Sequence, residues 1–229
     1  MTGVVEVNGI RIDKPGHFIH VSSYIVLKKD HLPYVSRGGL KLEAALDCFS
    51  IPVNEKILLD IGASTGGFTD CLLQRGAKKV ISVDVGHGQF HWKLRQDDRV
   101  KLMERTNARY LTSDLIGGQA NGAVIDVSFI SLRLIVPIVS TLLLDNGFTV
   151  ALIKPQFEVG RDKVGKGGVV RDPAMHDMVI DELSSFFRKQ GWNIRGCIPS
   201  PILGPKGNRE FLMYITLKHK TASDLLRYG

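Results

Sequence analysis

A chain of 229 residues, 44% hydrophobic and 23% charged, has the balance of a folded globular protein, with room for one substantial α/β domain and a small appendage. Its longest apolar stretch, Leu134 to Leu144, has eleven residues and is interrupted by Pro137, Ser140 and Thr141, whereas a membrane-spanning helix needs about 20; the polar start MTGVVEVNG is not a secretory signal. Thirty basic against 23 acidic residues, a net charge of +7, suit a polyanionic partner, and three scattered cysteines (Cys48, Cys71, Cys197) suggest neither a disulfide framework nor a zinc site and fit the cytoplasm.

Residues 1–29 alternate like strands, with Asn8-Gly9 and Lys14-Pro15-Gly16 as turns. They are too few to bury a core of their own, and 30–36 follow as a linker. From there strands and helices alternate to about residue 220, leaving 221–229 as a tail. Strands are expected at Lys56–Ile61, Lys79–Val85, Val100–Glu104, Ala123–Val127 and Thr149–Lys154, because VISVDV, AVIDV and TVALIK are the short, β-branched runs of buried parallel strands. Helices are expected at Gly39–Cys48, Gly67–Arg75, Leu132–Leu144 and, after Asp172-Pro173, Ala174–Gln190. Asn193–Ile202 and Glu210–Lys218 are separated by a link too short for a crossover helix, so they pair antiparallel. The sum is a doubly wound, mostly parallel seven-stranded α/β sheet with a C-terminal antiparallel hairpin, the Rossmann-like layout associated with class I methyltransferases that use S-adenosylmethionine.

The stretch LLDIGASTGGFTDCLL, residues 58–73, runs from a strand through a glycine turn into a helix. A dinucleotide fingerprint would need glycine where Ser64 stands, and a phosphate-binding loop would need lysine where Phe68 stands. The remaining reading is S-adenosylmethionine, with its methionine moiety against Gly62, Ala63, Ser64, Thr65, Gly66, Gly67 and Phe68. Asp84, 22 residues beyond Gly62 at the end of the next strand, would take the ribose hydroxyls, and Val85 follows it. Asp60 is placed to meet the ligand's amino group directly or through water, and Asn107 to lie near the adenine. The alternative is a turn that merely caps a strand.

Four polar residues fall at or near the sheet rim where ligands bind: Lys41, Asp126, Lys154 and Glu210. Each alone has a dull explanation, as a solvated lysine, a helix cap, a strand-end charge or a hairpin-edge acid. Together with RGGLKL, VDVGHGQ, ERTNAR, DVSFISL, KPQFE, GGVVRD and GNREF, they make the chain from Ser36 to about Lys218 resemble the TlyA family of FtsJ-like RNA methyltransferases. Residues 1–29 resemble the latter half of the S4-like RNA-binding module that precedes the catalytic domain in that group. The resemblance implies methyl transfer from S-adenosylmethionine to a ribose 2′-hydroxyl of ribosomal RNA or ribosomal subunits, at a cytidine, with Lys41, Asp126, Lys154 and Glu210 as the catalytic tetrad, Asp126 also lying beside the cofactor, and no metal. The family often carries the name haemolysin, but no segment here has the length or apolarity of a pore former.

A ribose hydroxyl is a poor nucleophile, so a protein must remove its proton and aim its oxygen. Lys154 is the candidate base; burial and the like charge of Lys41 favour loss of its proton, and the two carboxylates oppose it. RNA contacts are expected from Lys28, Lys29, Arg37, Lys41, Arg161, Lys163, Lys166 and Arg171, the last four in a glycine-rich basic stretch, GRDKVGKGGVVR, expected to be a mobile loop near Lys154. An ordinary solvated loop is the competing account. His87 and His91 have metal-like spacing but no third ligand and are set aside as surface residues. The alternative functions are a small-molecule methyltransferase and a non-catalytic RNA-binding protein that keeps the fold.

Overall fold

The computed structural model describes residues 3–12, 16–29, 32–160 and 163–217. A small antiparallel sheet comes first: β1 (Gly3–Val7), β2 (Ile10–Ile12) and β3 (Ile25–Lys29), in the order β2-β1-β3. Asn8 and Gly9 both take left-handed backbone angles in the turn between β1 and β2, the conformation an Asn-Gly hairpin turn requires.

The main body follows as α1 (Gly38–Cys48), β4 (Ile57–Ile61), α2 (Gly67–Gln74), β5 (Lys79–Val83), α3 (Trp92–Arg95) and β6 (Val100–Met103). Its second half is α4 (Ser113–Ile116), β7 (Ala120–Ile125), α5 (Leu132–Ser140), β8 (Leu143–Ile153), α6 (Pro173–Lys189), β9 (Trp192–Pro199) and β10 (Phe211–Leu217). The seven strands lie in the order β6-β5-β4-β7-β8-β10-β9. The first five are parallel, and β10 runs antiparallel between β8 and β9. The expected hairpin is therefore present, with its second strand inserted beside β8.

Alternation along the strands divides the core into two layers. Leu59, Ile61, Ile125, Ala151, Ile153 and Met213 face α5 and α6. Leu58, Val80, Val124, Val150, Leu152 and Leu212 face α1 and α2. Asp60 and Ser82 fall in the second set by parity, and both are fully buried against Thr69 of α2.

Several boundaries differ from expectation. Leu132–Leu144 does not continue as one helix: α5 stops at Ser140 and β8 begins at Leu143. The β8 strand absorbs Asp145-Asn146-Gly147 as a register shift against β7 rather than a turn. The second parallel strand ends at Val83, which leaves Asp84 and Val85 on the loop beyond it. The expected tail, 221–229, lies outside the described residues.

Candidate active site

The site lies where the parallel strands end. The β4 strand runs into the turn 62–66, which backbone hydrogen bonds hold in place: Gly62 and Ala63 both donate to Val83 O, at 2.8 and 3.1 Å. Gly62 has φ +85°, and a Cβ there would collide with the carbonyl oxygen of Asp126, so only glycine lets the loop after β4 press against the loop after β7. Asp84 ties the turn to the next loop, its two carboxylate oxygens accepting from the backbone N–H of Ser64 at 2.7 Å and of Gly86 at 2.6 Å. Each oxygen keeps a lone pair for a further donor.

Two cavities flank this turn. The larger, about 470 Å³, opens between Asp84, Val85, Asn107, Asp126 and Ile135. The smaller, about 170 Å³, is bounded by Lys41, Ala63, Thr65, Gly67, Phe68 and Asp126. Gly62, Ser64 and Asp126 line both. A ligand with a sugar and base at one end and an amino acid at the other fits this pair. Asp84 offers acceptors to a sugar diol in the large cavity. The first turn of α2, which has no side-chain cap, offers backbone N–H groups to a carboxylate in the small one. These are the demands of S-adenosylmethionine.

Asp60 does not reach either cavity wall. It lies beneath the turn, accepting from Thr69 Oγ1 at 2.6 Å through one oxygen, while its other oxygen has no partner among the described residues. Burial pushes its carboxyl up to about 7, with the charges of Asp126 and Asp84 adding and the Thr69 hydroxyl opposing. Direct contact with a ligand amino group is therefore not what its placement offers. The physical reason is strand parity, which turns this side chain towards α2.

The structure brings the four rim residues together as two ion pairs. Lys41, one turn into α1, contacts Glu210 at 2.5 Å, and both are buried. Lys154, just past β8, lies 2.6 Å from Asp126 and donates to Ser128 Oγ at 2.9 Å. The chain brings these residues to one place because β7 and β8 end side by side and β10 begins there, Phe211 pairing with Ile153. Gly204 leaves the room that the Glu210 carboxylate occupies. Asp126 and Lys41 face the same small cavity, so both pairs border the place where a ligand would present its reacting end.

Some residues of the site have no counterpart among the sequence candidates. Ser128 holds Lys154, and Phe129, 90% exposed with φ +63°, rests on Phe157 with ring centroids 4.9 Å apart. Both stand in DVSFISL, where an exposed aromatic next to a strand-end acid is the available signal. Gln89, Thr106 and Arg109 line the large cavity, and Ser36 and Gly38 the small one. Asn107 does line the large cavity, and its Oδ1 also accepts from the Arg109 backbone N–H at 3.0 Å.

The basic stretch is not the free loop expected. From Gly165 to Val169 it closes a tight turn, and Val169 and Val170 are buried. Asn208 pins it, donating to Gly168 O and Pro205 O and accepting from the Val170 N–H, while the ring of His176 bonds Val170 O. Lys166 is exposed on this turn and Lys163 and Arg171 on either side of it, and Lys206 and Arg209 are exposed on the neighbouring one. Arg37 is exposed and donates to Leu203 O at 3.2 Å. Arg161 and the side chains of Lys28 and Lys29 lie outside the described residues. His91 caps α3 by accepting from the Lys93 N–H. Among the described residues no group of three or more His, Cys, Asp or Glu is placed to hold a metal ion, and no helix is long and apolar enough to cross a membrane.

Known proteins resemble this chain. YqxC of Bacillus subtilis is 53% identical over 216 residues, which is 94% of this chain and 77% of that protein. The 16S/23S rRNA (cytidine-2′-O)-methyltransferase TlyA of Mycobacterium tuberculosis is 42% identical over 214 residues, covering 93% of this chain and 80% of that one. A solved structure from Streptococcus thermophilus that carries the name haemolysin superposes with a TM-score of 0.82 at 50% identity, over 94% of this chain and 79% of that one. The sequence model of the FtsJ-like methyltransferases matches residues 34–217, the whole stretch from the entry of α1 to the end of β10, and the chain belongs to that family.

Proposed function

We propose that this protein transfers a methyl group from S-adenosylmethionine to a ribose 2′-hydroxyl of ribosomal RNA, at a cytidine, in the cytoplasm. The observation that carries the reading is the pair of lysine–carboxylate contacts, Lys41–Glu210 and Lys154–Asp126, set beside a glycine turn whose two cavities suit the cofactor. The substrate class follows from the relative named as an rRNA cytidine-2′-O-methyltransferase. The net charge of +7 agrees with a polyanionic substrate. Residues 1–29, whose described part forms a sheet of its own, serve as an RNA-binding appendage to a catalytic domain of residues 37–220.

When bound, S-adenosylmethionine supplies a methyl group already activated by the adjoining sulfonium. Gly62 to Phe68 would cradle its amino-acid end, Asp84 would hold its ribose, and Val85 and Asn107 would border its base. Lys154 takes the proton from the RNA 2′-hydroxyl, leaving that bond's electron pair on oxygen for the new oxygen–carbon bond, while the methyl–sulfur bond breaks and its pair stays on sulfur as the neutral thioether leaves. Asp126 and Ser128 fix where its Nζ points. Lys41, held by Glu210, offers positive charge to the oxygen as it becomes anionic. Phe129 presents a bare aromatic face on which a base turned out of its stack can rest. Lys163, Lys166, Arg171 and Arg37 meet RNA phosphates.

The test is calorimetry with S-adenosylmethionine followed by tritiated-methyl incorporation into unmodified ribosomal RNA and subunits. Binding with incorporation is expected, and a Lys154→Ala protein should bind the cofactor while losing incorporation by about 100-fold or more. Binding with no incorporation into any RNA would favour a scaffold that has kept the fold. Absence of cofactor binding would remove the reading at its root.

A further inference from the structure

The contact between Asp126 and Lys154 lies beyond the sheet. The β7 and β8 strands pair only as far as Ile125 and Ala151, so strand pairing does not hold the loop after β7 against the turn after β8. Besides the lysine's own bonds and the tilted contact of exposed Phe129 with Phe157, one buried group among the described residues joins them. Glu158 closes the turn that Lys154 opens, and its side chain is 2% exposed. Its Oε1 accepts from the Leu132 backbone N–H at 2.8 Å, and its Oε2 accepts from Ser131 Oγ at 2.6 Å.

Leu132 is the first residue of α5, so a carboxylate carried by a different loop fills the N-terminus of that helix, where unpaired N–H groups and the helix dipole favour negative charge. Arg133, 3.8 Å away, adds a cation. An acid is an expensive way to fill a dry space, since burial penalises its charge and raises the Glu158 carboxyl above its usual range against the opposing hydrogen bonds. What the acid adds is direction, because two bonds from one planar group fix the distance and angle between the two loops.

We infer that Glu158 is a positioning residue for the reaction: through Ser131 and Leu132 it fixes the loop that carries Asp126 and Ser128, and thereby the place of the Lys154 amine. Its effect on rate rests on the proposed methyl transfer; its effect on the loop does not. In Glu158→Gln the amide oxygen still accepts from Leu132, and the amide nitrogen can donate to Ser131 Oγ, so the geometry survives without the charge. In Glu158→Ala both bonds are gone.

The experiment measures RNA methylation kinetics and amide hydrogen exchange of the full chain for wild type, Glu158→Ala, Glu158→Gln and Ser131→Ala. The expected result for Glu158→Ala is a loss in kcat of about 10- to 100-fold, as a displaced reacting group gives, with KM for RNA within about threefold. Exchange should quicken at the Leu132 amide and across 127–131, while the amides of β4 and β5 stay protected. Glu158→Gln should recover kcat to within about threefold, and Ser131→Ala, which keeps one of the two bonds, should fall between. If Glu158→Ala does not fold, Ser131→Ala and Glu158→Gln carry the comparison. Unchanged exchange at 127–132 in Glu158→Ala would overturn the inference, as would wild-type kcat, or a folded Glu158→Gln as slow as Glu158→Ala. A wild-type protein that methylates no RNA would sink the proposed reaction and leave the exchange result to decide the loop.

Discussion

Lys41 and Glu210 meet at 2.5 Å although 169 residues separate them in the chain. Their contact joins α1 to the start of β10 in a place where the two side chains are 11% and 0% exposed. Such a pair depends on both members, because removing one leaves the other charged and dry. Lys41→Met and Glu210→Gln should each lower stability by about 3–5 kcal/mol in urea unfolding. The double substitution should recover much of that loss, and a cycle in which the two effects simply add would show that the contact is not coupled.

Asp60 sets a pH dependence of stability. Its carboxyl lies near 7 in the fold against an ordinary 3.8. The folded state therefore binds a proton that the unfolded state has released, and this group's contribution is full below about pH 4 and lost as pH rises through 7. Asp60→Asn removes that loss while keeping an acceptor for Thr69. Its stability relative to wild type should be greater at pH 8 than at pH 5 by about 2.6 kcal/mol. Thermal unfolding at the two pH values decides it; a difference independent of pH would mean that Asp60 stays ionised in the fold.

Gly62 is where the glycine turn after β4 touches the loop of Asp126. Gly62→Ala places a Cβ against the Asp126 carbonyl at a left-handed backbone position, a conformation that costs an L-residue about 1–2 kcal/mol before any collision. Calorimetric titration should show S-adenosylmethionine binding lost while the protein remains folded by circular dichroism. Retention of wild-type affinity would remove the turn from the cofactor site.

Asn208 separates geometry from charge in RNA binding. Asn208→Ala frees three backbone groups of the two basic turns but leaves every cation in place. RNA affinity should fall by about tenfold, the equivalent of 1.4 kcal/mol, with the slope of log K against log salt unchanged. Lys163→Ala and Lys166→Ala should each flatten that slope by about one unit if each meets a phosphate. Filter binding across a salt series measures both. Wild-type affinity in Asn208→Ala would show that the rigid turn has no part in holding RNA.

Much of the sheet could be read from the sequence because buried parallel strands carry their own label: VISVDV and AVIDV are β-branched and short, and they became β5 and β7. The boundary between α5 and β8 could not be read the same way. From Leu134 to Leu144 the chain is apolar without a charge or a capping glycine, so period alone does not separate a buried helix from a buried strand. The insertion of β10 between β8 and β9 was signalled only indirectly. FLMYITL is apolar at Leu212, Met213 and Ile215, as a central strand must be, whereas β9 carries exposed Arg195, as an edge strand can.

At the site, order along the chain predicted which residues would fall at strand ends but not what they would touch there. Asp126, Lys154 and Glu210 converge because three neighbouring strands end or begin at one place, and α1 brings Lys41 to Glu210. The division into two pairs depends on strand parity and on the loops. The same parity turns Asp60 away from the cavities, a fact available in principle from its position between Leu59 and Ile61. Ser128 and Phe129 were signalled only by an aromatic near a strand-end acid, and their link to Glu158 was not legible, since that acid lies on another loop and becomes their neighbour only once both loops are folded. The basic stretch misled for a related reason: its glycines suggested freedom, while the residue that pins it, Asn208, lies far along the chain.

Methyl transfer to a ribose oxygen is read out by nucleoside mass spectrometry of ribosomal RNA after reaction with the wild-type protein and isotopically labelled S-adenosylmethionine. The label is predicted to appear in 2′-O-methylcytidine, reduced by about 100-fold or more in Lys154→Ala reactions. Label in a base-methylated nucleoside, or equal 2′-O-methylation by wild type and Lys154→Ala, would contradict the account.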